Sequence, residues 1–197
     1  MRSPDLQNEL KPLVSRELEV IFTSRHAVLA LSSLLSAFPG AWTANLLEGA
    51  TRRTFERLFP AAPYNARGYY AEELAAYITR EKTGRSFVFF CGDKRRETLP
   101  GLLRRHGLEH REITVYRTVL KPETVGGRFD GIVFFSPSAV ESYFKNNRPA
   151  PESVLFAIGK TTASAIAAYW AGRVICPAFP DKAEMYHTVK NYFNTLL

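Results

Sequence analysis

Two stretches carry the side chains with most chemical reach. Phe135-Ser136-Pro137-Ser138-Ala139-Val140 and Phe156-Ala157-Ile158-Gly159-Lys160-Thr161-Thr162 each belong to a short apolar run that stops at small polar residues and then turns helical. Each spells a strand, a tight turn and a helix. In a parallel α/β sheet such turns lie at the carboxyl ends of the strands, where ligands bind. Ser136, Ser138, Thr161 and Thr162 put hydroxyls there, beside the open N–H groups of two helix starts, with Pro137 fixing the first turn. Gly159 lets the backbone turn or a ligand come close. The chemistry on offer is the grip of an anionic, oxygen-rich ligand. Plain N-capping explains the same hydroxyls, and both roles can hold at once because a cap leaves other N–H groups open. Thr23, Ser24, Gly49 and Thr51 pose the same question earlier in the chain. Lys94, Arg95 and Arg96 stand just before a helix start, an electrostatically poor place for cations. Carboxylate binding is one reason for them, and local pairing with Asp93 and Glu97 is the other.

Composition bounds the ligand. Of 197 residues, 46% are hydrophobic and 23% charged, the balance of a soluble globular protein. No apolar run approaches the roughly 20 residues that span a bilayer, and the N-terminus lacks the apolar core of a signal peptide. The net charge of +7 favours anions. The basic residues are scattered, however, without a tail or a nucleic-acid-binding motif. A small polyanion therefore fits at least as well as nucleic acid, and neither nucleic acid nor membrane is expected as a partner. Cys91, Cys176 and the histidines, His26, His106, His110 and His187, show no metal-ligand spacing, so neither a metal site nor a disulfide framework is expected. The implied location is the cytoplasm.

These turns need a frame, and the rest of the chain supplies it. Residues 1–17 are weakly patterned and read as a tail or connector. Strands are expected at Glu19–Ser24, Trp42–Leu47, Ser86–Cys91 and Glu112–Val119, with a short extended piece near Tyr64. Helices carry apolar positions at 3.6-residue spacing between them, such as Ala27, Val28, Leu31, Leu34 and Leu35. Pro100 predicts a late start or a kink in the helix after Gly92-Asp93. The last helix carries Met185, Val189, Tyr192, Phe193 and Leu196. Alternating strands and helices mean a parallel α/β sheet.

The two halves repeat one unit. Val20-Ile21-Phe22-Thr23-Ser24 falls on Ile132-Val133-Phe134-Phe135-Ser136, and Gly49-Ala50-Thr51 falls on Gly159-Lys160-Thr161. The expected organisation is residues 1–17 as a tail, a first α/β lobe over 18–114, a linker over 115–128 and a second lobe over 129–197. Two such lobes facing each other would make a ligand cleft. The strand–helix–strand from Ser86 to Tyr116 has no counterpart in the second half. That lobe is expected to be incomplete, with an apolar sheet edge that lowers stability or promotes association.

The order and spacing of these motifs resemble the uroporphyrinogen-III synthase family over roughly residues 18–197. The matching residues are Phe22-Thr23-Ser24-x-x-Ala27-Val28, Gly49-x-Thr51, Phe90-Cys91-Gly92-x-x-Arg95, Val115-Tyr116-Arg117-Thr118, Phe135-Ser136-Pro137-Ser138-Ala139-Val140 and Ile158-Gly159-x-Thr161-Thr162. The resemblance implies two Rossmann-like lobes with parallel sheets, joined by a strand linker, with substrate in the cleft between them. It implies a lyase of porphyrin and heme biosynthesis that closes linear hydroxymethylbilane into a macrocycle, inverts the last pyrrole ring and needs no cofactor. The implied monomer would start with a further strand–helix–strand. Its absence leaves two expectations, a start placed too late or an inactive truncated homologue; a separate rival is a non-catalytic bilobed small-anion-binding protein.

By this resemblance Tyr116 is the candidate acid for the departing hydroxyl. Its bland alternative is a strand tyrosine with a buried ring and a wet hydroxyl. Thr23, Ser24, Gly49, Thr51, Arg95, Ser136, Pro137, Ser138, Gly159, Thr161 and Thr162 are the candidate substrate contacts. His26 departs from the family pattern, where asparagine is more usual.

Overall fold

The computed structural model describes residues 4–81, 84 and 86–195. Residues 1–3 of the expected tail and Leu196 of the last helix lie outside the described residues. The chain divides into two compact units, one ending at Thr118 and one beginning at Val119.

The first unit contains α1 (Pro4–Leu10), β1 (Leu18–Phe22), α2 (Arg25–Ser32), β2 (Trp42–Leu46), α3 (Ala50–Leu58) and β3 (Tyr64–Ala66). It continues with α4 (Ala71–Glu81), β4 (Ser86–Gly92), α5 (Thr98–Arg105) and β5 (His110–Tyr116). Its five strands are all parallel, in the order β3-β2-β1-β4-β5. Helices cover both faces, so the central strands read as unbroken apolar runs. The period of two is still there beneath them. Val20, Phe22, Val88 and Phe90 point to a core shared with α2 and α3, whereas Ile21, Phe87, Phe89 and Cys91 point to a core shared with α4 and α5. Rings set the first core: Phe22 stacks on Phe90 at 5.5 Å, and Phe38 meets Phe55 edge-on at 5.1 Å.

The N-terminal stretch is not a loose tail. Residues 4–10 form α1, Leu10 and Leu13 are each 2% exposed, and buried Trp42 donates its indole N–H to the Leu13 carbonyl at 3.0 Å. The stretch was unreadable in sequence because too few apolar residues mark its inner face for a periodicity to show. Helix α5 starts at Thr98, with Pro100 in its first turn. A proline there is tolerated, because the N–H it lacks would have no intrahelical partner. The strand expected over 112–119 is β5, which ends at Tyr116; residues 117–130 carry no strand.

The second unit contains β6 (Gly131–Phe134), α6 (Pro137–Asn146), β7 (Val154–Ala157), α7 (Lys160–Ala167), β8 (Val174–Ile175) and α8 (Lys182–Asn194). Its parallel sheet runs β6-β7-β8, which repeats the β1-β2-β3 side of the first unit. The repeat then stops. Strand β1 lies between two neighbours and is buried throughout, but β6 is an edge strand with only Phe134 buried. Phe134, Leu155 and Ala157 meet α6 and α7 on one face, and Phe156 meets Met185, Tyr192 and Phe193 of α8 on the other. Among the described residues, no helix is long and apolar enough to cross a membrane.

Candidate active site

Because each sheet is parallel, all its strands end at one edge. In the first unit that edge gathers Thr23 and Ser24 after β1, Gly49 and Thr51 after β2, Arg95 after β4, and Tyr116 at the end of β5. In the second unit the corresponding edge gathers Ser136, Pro137 and Ser138 after β6, and Gly159, Thr161 and Thr162 after β7.

The repeated turns use the same devices in both units. Ser24 has extended backbone and caps α2, its Oγ accepting from the His26 N–H at 3.2 Å. Ser136 caps α6 likewise, accepting from the Ala139 N–H at 3.2 Å, with Pro137 as the first helical residue. Ser136 Oγ also lies 3.1 Å from Ser138 Oγ. Gly49 and Gly159 occupy the N-cap positions of α3 and α7, neither with a side-chain cap. Gly49 has φ 77°, a left-handed conformation that only glycine takes readily, whereas Gly159 is extended. Absent side chains leave the first N–H groups of both helices uncapped by their own cap residue.

The threonines separate by burial. Thr23 and Thr161 are half-buried, but Thr51 is 6% and Thr162 only 2% exposed. Thr51 and Thr162 therefore pack inside the first turns of α3 and α7, where sequence could not tell an inner hydroxyl from an outer one.

Tyr116 is half-buried, its ring against the α2-side core. Its hydroxyl donates to Ser24 Oγ at 3.1 Å. The His26 ring is 5.8 Å from it, centroid to centroid, and tilted by 48°. Ser24 Oγ thus accepts twice, from a phenol and a backbone N–H, and its own proton is left to donate outward. Partial burial and the neighbouring Arg25 hold His26 below the usual imidazole pKa. The backbone is pinned as well. Asp93 N–H donates to the Tyr116 carbonyl at 3.1 Å, and Asp93 Oδ1 accepts from the Thr118 N–H at 2.8 Å.

Arg95 is committed inside the protein. Its guanidinium pairs with Glu112 and, at 2.6 Å, with Glu97, and Arg104 joins the same two carboxylates. Pairing with Glu97, weighed in sequence against ligand binding, is thus present. Lys94 and Arg96, weighed in sequence for carboxylate binding, are exposed just beyond β4, and Arg25 and Arg117, which the motifs did not single out as cations, extend them into a basic rim at the ends of β1 and β5. The signal was there, in a cation following each of these strands. Among the described residues, no group of three His, Cys, Asp or Glu is gathered as a metal-binding cluster.

These features can be set beside known proteins. No curated protein matches the chain. A solved structure, that of uroporphyrinogen-III synthetase from Helicobacter pylori 26695, superposes with a TM-score of 0.69. The match covers 90% of this chain and 84% of that one at 16% identity, so the likeness is one of fold. The sequence model of the family described as Uroporphyrinogen-III synthase HemD matches residues 2–187, nearly the whole chain. The chain therefore belongs to the uroporphyrinogen-III synthase family, the cyclising lyases of porphyrin biosynthesis.

Proposed function

We propose that Tyr116 is the acid of this lyase and that the hydroxyls and N–H groups of the strand-end turns hold its substrate. Hydroxymethylbilane is flexible and carries eight carboxylates. Its terminal hydroxyl must leave before the ring can close with inversion of the last pyrrole. The protein's task is to hold this chain coiled and to help that hydroxyl depart. Positioning alone contributes several kcal/mol, and a placed acid contributes roughly 10²–10⁴-fold.

The single observation that carries the reading is the hydrogen bond from the Tyr116 phenol to Ser24 Oγ at the carboxyl edge of the first unit's sheet. It links the phenol to a serine hydroxyl whose own proton is free to donate outward, so a departing hydroxyl can take the Ser24 proton while the phenol passes its own to Ser24. Thr23 and Ser24 in one unit, and Ser136, Ser138 and Thr161 in the other, are half-exposed donors for carboxylates. Gly49 and Gly159 open helix N-termini to the same groups. Arg25, Lys94, Arg96 and Arg117 supply the positive field that attracts the polyanion. Pro137 presets the first turn of α6. Thr51 and Thr162 stabilise helix starts, and Arg95 orders the turn after β4. The thiols of Cys91 and Cys176 are both free, which suits a reducing compartment such as the cytoplasm.

The test is a coupled assay in which hydroxymethylbilane is generated in place and the oxidised porphyrin isomers are separated. The type III isomer should form in excess over the spontaneous type I isomer, and Tyr116→Phe should lower its rate by about tenfold or more. An unchanged rate in Tyr116→Phe would remove the acid role.

A further inference from the structure

Strand β5 does not keep its alternation to the end. Ile113 and Val115 belong to the core on the α2 side, so an unbroken strand would send the next residue, Tyr116, to the opposite face. Yet the Tyr116 ring packs against that same α2-side core. The register explains it: Cys91 is opposite Thr114, but Gly92 is opposite Tyr116, so Val115 is the extra residue of a β-bulge. A bulge of this kind re-aims the side chain that follows it.

The re-aimed ring then needs room, and Gly92 provides it. A Cβ built on Gly92 would lie 2.7 Å from Tyr116 Cε2 and 2.8 Å from its hydroxyl oxygen, closer than real contacts allow. Gly92 is not among the glycines with positive φ, so its φ does not itself demand glycine. Its lack of a side chain answers to the ring above it.

We propose that Gly92 and the bulge at Val115 form a positioning device that places the Tyr116 phenol on Ser24. The inference rests on the reading of Tyr116 as the acid, but its structural half can be tested separately. Gly92→Ala keeps an allowed backbone and forces the ring away.

The experiment compares wild type, Gly92→Ala, Tyr116→Phe and the double variant. Tyrosine-labelled protein gives ring NMR signals, with that of Tyr116 identified by its loss in Tyr116→Phe. In Gly92→Ala this signal should shift, and kcat for the type III isomer should fall on the order of tenfold to a hundredfold with KM little changed. In the Tyr116→Phe background the same alanine should cost almost nothing further. An unmoved ring signal, or an equal loss of kcat in both backgrounds, would overturn the proposal. If Tyr116→Phe alone leaves turnover intact, the acid role fails while the ring signal still decides the positioning. Should Gly92→Ala not fold, Gly92→Ala with Tyr116→Ala must restore folding, and failure to do so would overturn the proposal too.

Discussion

The Tyr116 hydroxyl donates to Ser24 Oγ at 3.1 Å, joining two residues 92 positions apart. One bond thereby fixes the end of the fifth strand to the start of the second helix. Ser24 serves both, as the N-cap of α2 and as the phenol's acceptor.

Ser24→Ala removes both roles. The lost cap should destabilise the protein by about 1 kcal/mol, read as a lower urea midpoint at unchanged slope. Turnover to the type III isomer should also fall, and by less in the Tyr116→Phe background, because the two hydroxyls act as one pair. Equal losses in the two backgrounds would show that Ser24 acts alone.

Stability should depend on pH through His26. Partial desolvation of its otherwise exposed ring, helped by Arg25, lowers its folded pKa below the unfolded value of 6.5. Between the two values the unfolded chain binds more protons, so stability rises with pH across that window. The contribution is fully present above pH 6.5 and is lost as pH falls through the folded pKa. His26→Gln should flatten this part of a stability–pH curve measured by urea unfolding. A curve of unchanged steepness would assign the dependence to other groups.

The N-terminal stretch should prove integral to the first unit. Leu13 is 2% exposed and its carbonyl takes the Trp42 indole N–H. Leu13→Ala should cost about 2–4 kcal/mol, and Trp42→Phe about 1–3 kcal/mol from lost volume and an orphaned carbonyl. Losses under about 0.5 kcal/mol, the level of ordinary surface changes, would mean that the stretch is only loosely attached.

In the second unit, half-exposed Ser138 and buried Thr162 should behave differently. Ser138→Ala should raise KM by about fivefold, the worth of one hydrogen bond near 1 kcal/mol. Thr162→Val should leave KM alone and show its effect in thermal melting. A KM effect confined to Thr162 would reverse the assignment of the two hydroxyls.

Much was legible in the chain before any fold was known. The apolar runs at Val20–Phe22 and Ser86–Cys91, and the polar breaks after them, announced a parallel sheet. Local chemistry alone produces these signals: burial on both faces demands continuous apolar strands, and helix starts demand caps. Ser24 and Ser136 are recognisable as caps for the same reason. The repeat of Ser24 on Ser136 and Gly49 on Gly159 likewise needs no coordinates.

Tertiary structure decided what depends on neighbours distant in sequence. Arg95 looks like an anion-binding cation until Glu112 comes beside it from the next strand. Thr162 looks like a ligand hydroxyl until packing buries it. The plainest case is Tyr116. Strict alternation in β5 assigns it to the wrong face, and only the pairing of Gly92 with Tyr116 across β4 and β5 reveals the bulge that turns it. A strand's sequence fixes the spacing of its side chains, but its register with a partner fixes the face on which each one emerges.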